Sequence, residues 1–246
     1  MTGLSLAAIF AHPDDEAFVV GGTLALCADR GIPTYVISAT AGDAGRAGGL
    51  AASPGELGRL RAAELAASCA ALGVREHAML GYGDGRLAEA PFGEAVGRVV
   101  ELIRRWRPAV ALTFGREGGS NSHRDHRAIC RIATAAVLAA SDELCYPEQL
   151  GAGLGPHAVA KLYYATGAPG LAARDGTPFD PPTTSVDVGP VVGRKLAAFG
   201  LHMSQASLLP RLEEWVAQNG GAEHYVRVLS RVAPRVVAER DLFEGL

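Results

Sequence analysis

Apolar residues fall along this chain in two alternating rhythms. Short continuous runs of strand length occur at residues 4–11, 33–39 and 109–114. Their Leu, Ala, Ile, Val and Phe content predicts strands buried on both faces. Between them lie longer stretches with apolar positions three and four apart: 17–30, 57–72, 92–107 (ending before Pro108), and 124 to about 140. In the last of these, Ile129, Ile132, Ala133, Ala136 and Val137 share one helical face. A short strand is expected at 78–80, later strands at 161–166 and 183–188, and a helix over 191–203. The alternation predicts an α/β fold: a Rossmann-like, mostly parallel sheet with helices on both faces. After Ser141 the rhythm breaks into glycine-rich and polar loops at 147–156 and 167–182, a length more often functional than inert. There is no internal repeat, and residues 1–246 read as a single domain.

Chemistry concentrates at two places that the pattern puts at the carboxyl ends of strands, where open α/β sheets bind ligands. Ala11-His12-Pro13-Asp14-Asp15-Glu16 follows the first buried run. His12 precedes a proline, which excludes the helical region and leaves it as the last extended residue. Asp15, three residues on in a turn or first helical turn, can converge with His12 on one ion. Asp14 cannot easily point the same way, and is left beside the ion where a general base would stand. Two adjacent aspartates are costly unless a cation neutralises them. The second cluster, Ser122-His123-Arg124-Asp125-His126, follows the 109–114 run and a glycine-rich loop. One of its histidines would complete a three-ligand shell. The other, with Asp125 near enough to orient it, could stabilise an oxyanion or protonate a leaving amine. Histidine and carboxylate ligands with one open position describe a hydrolytic centre.

These motifs, with Gly21-Gly22-Thr23-Leu24, Thr40-Ala41-Gly42-Asp43, Gly83-Asp84-Gly85-Arg86-Leu87, Lys195 and His202-Met203-Ser204-Gln205, resemble the PIG-L/LmbE family of zinc-dependent sugar N-deacetylases. The likeness spans almost the whole chain. It implies His12, Asp15 and His126 as metal ligands, and Asp14 as general base. His123, oriented by Asp125, would stabilise the oxyanion or act as acid. Arg61 and Asp84 match positions that hold sugar hydroxyls, and Gln205 lies in a motif near the pocket. Arg124 departs from the family, which carries proline there. The implied reaction removes the acetyl group of an N-acetylglucosamine-type conjugate with Zn2+, or with Fe2+ or Co2+ in its place. Its alternatives are an amidase cleaving a larger thiol or glycoconjugate amide, and a non-catalytic carbohydrate- or metal-binding protein.

Composition narrows the partners. A net charge of −3 and a charged fraction of 20% give no case for nucleic acid or an anionic membrane. The expected partner is a small N-acetylated sugar conjugate, and homo-oligomerisation stays open. Acidic residues in the first turn would repel the phosphate of a dinucleotide, and no Gly-x-Ser-x-Gly elbow exists for a serine hydrolase. Cys27, Cys69, Cys130 and Cys145 are widely spaced, which suits free thiols and a cytoplasmic protein. No apolar run reaches membrane-spanning length. His77, His157, His202 and His224 lack a partner at ligand spacing, with His202 singled out by its Ser204-Gln205 context. Trp106 and Trp215 read as core or interface residues.

Overall fold

The computed structural model describes residues 3–46, 48–233 and 238–246. Seven strands form one sheet: β1 (Leu6–Phe10), β2 (Thr34–Thr40), β3 (Glu76–Tyr82), β4 (Val110–Phe114), β5 (Lys161–Thr166), β6 (Thr184–Asp187) and β7 (Ala222–Ser230). Their order is β3-β2-β1-β4-β5-β7-β6. The helices are α1 (Asp15–Asp29), α2 (Pro54–Leu72), α3 (Phe92–Trp106), α4 (Arg124–Ala139), α5 (Pro147–Gly151), α6 (Val192–Gly200) and α7 (Leu209–Gln218).

Strands β1, β2 and β4 are buried along their whole length, as expected of parallel strands covered on both faces. Register is direct: Leu6 lies opposite Thr34 on one side and Val110 on the other. From β1 the chain winds outward to β2 and β3, then returns across β1 to β4 and β5. Right-handed crossovers therefore place α1 and α2 on one face and α3 and α4 on the other. The strand order reverses between β1 and β4, and a crevice at such a switch point is where this architecture holds ligands. The two histidine motifs end up on either side of it.

Several boundaries move for local reasons. Helix α2 starts at Pro54, earlier than the apolar pattern suggests, because the Ser53 hydroxyl accepts the Glu56 N–H and proline suits the first helical position. The helix expected over 191–203 is interrupted: α6 stops at Gly200 and a 3-10 turn follows over Met203–Leu208. Strand β7 was not expected from the sequence. It runs antiparallel between β5 and β6, with Glu223 and Tyr225 facing inward among charged and polar neighbours. The Glu223 carboxylate accepts the Gly22 and Thr23 N–H groups of α1 at 2.9 and 2.8 Å, and pairs with buried Lys195. A buried charge of this kind is tolerated only when so fully bonded.

Candidate metal centre

His12 stands two residues past the last residue of β1, and Asp15 opens α1. His126 sits in the first turn of α4, held there by the helix that begins at Arg124. Their donor atoms converge. His12 Nδ1 stands 3.2 Å from His126 Nε2 and 3.5 Å from Asp15 Oδ2, and His126 Nε2 stands 3.4 Å from Asp15 Oδ1. Ligands about 2.0–2.2 Å from a tetrahedral ion lie about 3.3–3.6 Å from one another. The three side chains, Asp15 through a different oxygen toward each histidine, are thus close enough together to hold a divalent metal.

Each ligand is fixed from behind, as metal-binding histidines require. His126 Nδ1 bonds the Gly118 carbonyl at 3.0 Å, and its ring stacks on Phe114 with centroids 3.8 Å apart. His12 Nε2 faces Asp84 Oδ1 at 3.0 Å and Asp125 Oδ2 at 3.4 Å. The grouping of His12 with Asp84 and Asp125 therefore uses the second ring nitrogen, and supports the first centre instead of competing with it. Burial opposes a charge on His12, but Asp125, Asp15 and Asp84 outweigh it and hold its pKa well above the ordinary value. Burial likewise opposes ionisation of Asp15, yet His126 and His12 hold its carboxyl far below the carboxylate range. So dense a set of carboxylates and imidazoles is suited to a cation.

Asp14 does point elsewhere, as the adjacent-aspartate reading required. Its φ of 108° is left-handed, a conformation rare for a non-glycine residue. The turn is held by Glu16, which accepts the Asp14 N–H at 3.0 Å. Glu16 is in turn anchored by the Ser68 hydroxyl at 2.6 Å and by His202 Nε2 at 2.7 Å, all buried. His202, singled out by its Ser204-Gln205 context, bonds neither side chain but packs under the Asp14 turn through Glu16. Burial pushes the Asp14 carboxyl up to about 6, against the pull of Arg61.

The structure adds detail to three of the expected roles. Asp125 does not reach His123 with its carboxylate. Its oxygens accept the Gly85 and Leu87 N–H groups at 2.6 and 3.1 Å and face His12, because the helix start turns the side chain inward. What Asp125 gives His123 is its backbone N–H, accepted by His123 Nδ1 at 3.2 Å in a helix cap. That bond puts the proton of a neutral ring on Nε2. Burial, with the charges of His12 and His126, lowers the His123 pKa, so the neutral form is favoured over an imidazolium. A ring nitrogen of His123 lies within 4.8 Å of ring nitrogens of His12 and His126, so all three histidines are placed to share one ion.

Asp84 is the second. It lines the cavity with Oδ1 on His12 and Oδ2 accepting the Ala44 N–H at 3.1 Å, so its first partners are within the protein. Arg61 is the third. It lines the cavity but is buried, with Nη2 3.1 Å from Asp14 Oδ2 and also donating to the Pro13 carbonyl, and Nη1 on the Gly42 carbonyl at 2.9 Å. Its first partner is Asp14. Gly42 has φ 64°, and a Cβ there would meet the guanidinium at 2.2 Å. Gln205 lines the cavity and donates to the Arg46 carbonyl at 3.0 Å, tying down the 42–46 loop.

These groups open into a cavity of about 230 Å³. Trp215, read from sequence as core or interface, forms part of its wall together with Phe18, Phe179 and Leu208. Nothing in their local pattern distinguishes them from packing residues. His157 bonds the Pro108 carbonyl at 2.8 Å in a packing role, and the four cysteines are free. No helix among the described residues is long and apolar enough to cross a membrane.

A doubly wound sheet with mixed histidine and aspartate donors at its switch point, and an unligated carboxylate beside them, defines a metal-dependent hydrolase. The family model for GlcNAc-PI de-N-acetylase (PIG-L) matches residues 7–137, and the chain belongs to this family. A 1D-myo-inositol 2-acetamido-2-deoxy-alpha-D-glucopyranoside deacetylase from Rhodococcus erythropolis (strain PR4 / NBRC 100887) is 33% identical, over 98% of this chain and 97% of that protein. Among solved structures, the N,N'-diacetylchitobiose deacetylase of Pyrococcus horikoshii is similar with a TM-score of 0.77 and 22% identity, over 91% of this chain and 83% of that one. The 4-carboxy-2-hydroxymuconate hydratase GalB of Pseudomonas putida KT2440 is similar with a TM-score of 0.74 and 21% identity, over 95% and 99%. Those two likenesses are of fold, and their differing activities leave the reaction to the site.

Proposed function

We propose that this protein is a zinc-dependent N-deacetylase that hydrolyses the acetamide of an N-acetylglucosamine-type group on a small conjugate. His12, Asp15 and His126 would hold the ion. The observation that carries this reading is the convergence of those three side chains, with the Asp14 carboxylate lining the same cavity beside them. Tetrahedral nitrogen and oxygen ligation favours zinc over the octahedral oxygen sites of magnesium or calcium. When bound, the ion supplies positive charge that polarises the amide carbonyl and acidifies the attacking water.

The remaining work falls to the chain. Asp14, with its carboxyl raised by burial, takes a proton from the water as its oxygen bonds the acetyl carbon. Arg61 fixes the orientation of that carboxylate through Oδ2. His123, neutral and capped through Nδ1, presents Nε2–H as a donor to the developing oxyanion, as a neutral imidazole at a helix N-terminus can. The C–N bond then breaks, and the proton held by Asp14 passes to the leaving nitrogen. Acetate and a free amine are the products, with one water consumed. Four free cysteines support a reducing, cytoplasmic location.

Asp14→Asn tests the assignment. The variant should retain zinc while kcat falls by roughly 10²–10⁴, the worth of a positioned general base. His126→Ala should instead lose the metal. A zinc-loaded Asp14→Asn protein that deacetylates at the wild-type rate would overturn the mechanism.

A further inference from the structure

The cavity continues past the reacting groups into an apolar wall. Phe18 and Val19 lie one turn beyond Asp14 on α1, the Phe18 N–H bonding the Asp14 carbonyl at 2.9 Å. Leu208 comes from the 3-10 turn before α7, Trp215 from α7 itself, and Phe179 from the loop that leads to β6. All of these are only partly covered, and they line the cavity.

The wall is built, not incidental. The Phe179 ring meets Trp215 edge-on, with centroids 5.8 Å apart and planes at 67°. Gly167 makes room for the pair, since a Cβ there would stand 2.7 Å from the Phe179 ring and 3.3 Å from the indole. Asn219 locks the corner, donating to the Trp215 carbonyl at 2.8 Å and accepting the Ala168 N–H at 2.8 Å.

Of the polar groups at this end, Asn219 and His224 are already bonded, while exposed Arg211, one turn before Trp215 on α7, has only a 3.5 Å contact to Ser120 Oγ. The Asn219 amide is engaged through both oxygen and nitrogen. His224 is engaged through both ring nitrogens, with Ser185 Oγ at 2.8 Å and the Asn219 carbonyl at 3.3 Å. Hydroxyls placed against the Phe18, Phe179 and Trp215 rings would lose water without gaining partners there, a net cost.

We infer that this wall is the subsite for the group joined to the sugar, and that the substrate carries an apolar aglycone, aromatic or alkyl, in place of a polyol. This rests on the deacetylase reading above, and continuity of the wall with the Asp14 turn is what assigns the occupant. The inositol named for the curated relative is a polyol, so the inference separates this chain from that one by substrate.

The test compares kcat/KM for three compounds with the zinc-loaded protein: free N-acetylglucosamine, its phenyl glycoside, and its inositol glycoside. The phenyl glycoside should exceed both others by at least about tenfold, a difference of about 1.4 kcal/mol. In Phe179→Ala and Trp215→Ala the ratio of phenyl glycoside to free sugar should fall toward one, and Trp215→Phe should restore most of it. Quenching of tryptophan fluorescence by the phenyl glycoside should accompany binding in the wild type and vanish in Trp215→Ala. Equal rates on all three compounds, or preference for the inositol glycoside, would overturn the subsite while leaving deacetylation intact. Tight binding of the phenyl glycoside with no amine released from any compound would do the reverse, keeping the subsite and removing the reaction.

Discussion

Asp84→Asn separates two roles for one carboxylate. If Asp84 held sugar hydroxyls, the substitution would weaken substrate use and leave metal content unchanged. In the structure it stands behind His12, with Oδ1 3.0 Å from Nε2 and Oδ2 3.1 Å from the Ala44 nitrogen. With Nδ1 turned to the proposed ion, Nε2 would carry the proton and donate it. Both Asp84 oxygens therefore face donors. An asparagine keeps one oxygen and adds an NH2 group, which must confront either the Ala44 N–H or the His12 N–H. One donor is orphaned, costing about 1–3 kcal/mol, and the charge assistance to His12 is lost as well. Asp125, at 3.4 Å from the same nitrogen, preserves part of the support and limits the damage. The expected fall in zinc affinity is about 10- to 100-fold, the usual effect of removing such a partner. Competition against a chromogenic chelator at one fixed pH measures it, since metal affinity itself varies with pH. Added zinc should then restore most of kcat. Unchanged zinc affinity, with KM alone raised, would refute this reasoning and return Asp84 to the sugar.

Two further perturbations reach other parts of the molecule. Gly42→Ala places a methyl group 2.2 Å from the Arg61 guanidinium at a left-handed position, so Arg61 must move and release Asp14; kcat should fall about tenfold or more with zinc retained, judged by the loss typical of misplaced catalytic groups, and wild-type kcat would contradict the coupling. Glu239→Gln tests the buried cluster under the carboxyl-terminal tail, where burial raises the Glu239 pKa but Lys161, Tyr163 and Thr184 outweigh it and hold it below the ordinary 4.5. A carboxyl depressed by folding adds stability above its unfolded pKa and loses it as pH falls through the folded one. The variant should therefore be less stable than wild type by about 3–5 kcal/mol at neutral pH, as for other broken buried pairs. The gap should close below about pH 4.5 in urea unfolding; a gap independent of pH would exclude the ion pair as its source.

Much of this protein is written in local pattern. Runs such as 4–11 and 109–114 are apolar without interruption, and only a strand covered on both faces hides such a run in so short a span. The reach between His12 and Asp15 follows from residues three apart at a helix start, and the outward turn of Asp14 from the crowding of adjacent carboxylates. Tertiary structure decided the rest, because those choices depend on partners remote in sequence. Strand β7 carries Glu223, His224 and Arg227, and its Glu223 is buried only because Gly22, Thr23 and Lys195 donate to it. Asp125 could have turned to His123, but the Gly85 and Leu87 amides claim it. Trp215 has the helical spacing of a packing residue, and Gly167 with Phe179 makes it a cavity wall. Local sequence determines which groups a segment can present; which neighbour satisfies each buried donor and charge is determined only when the chain closes around it.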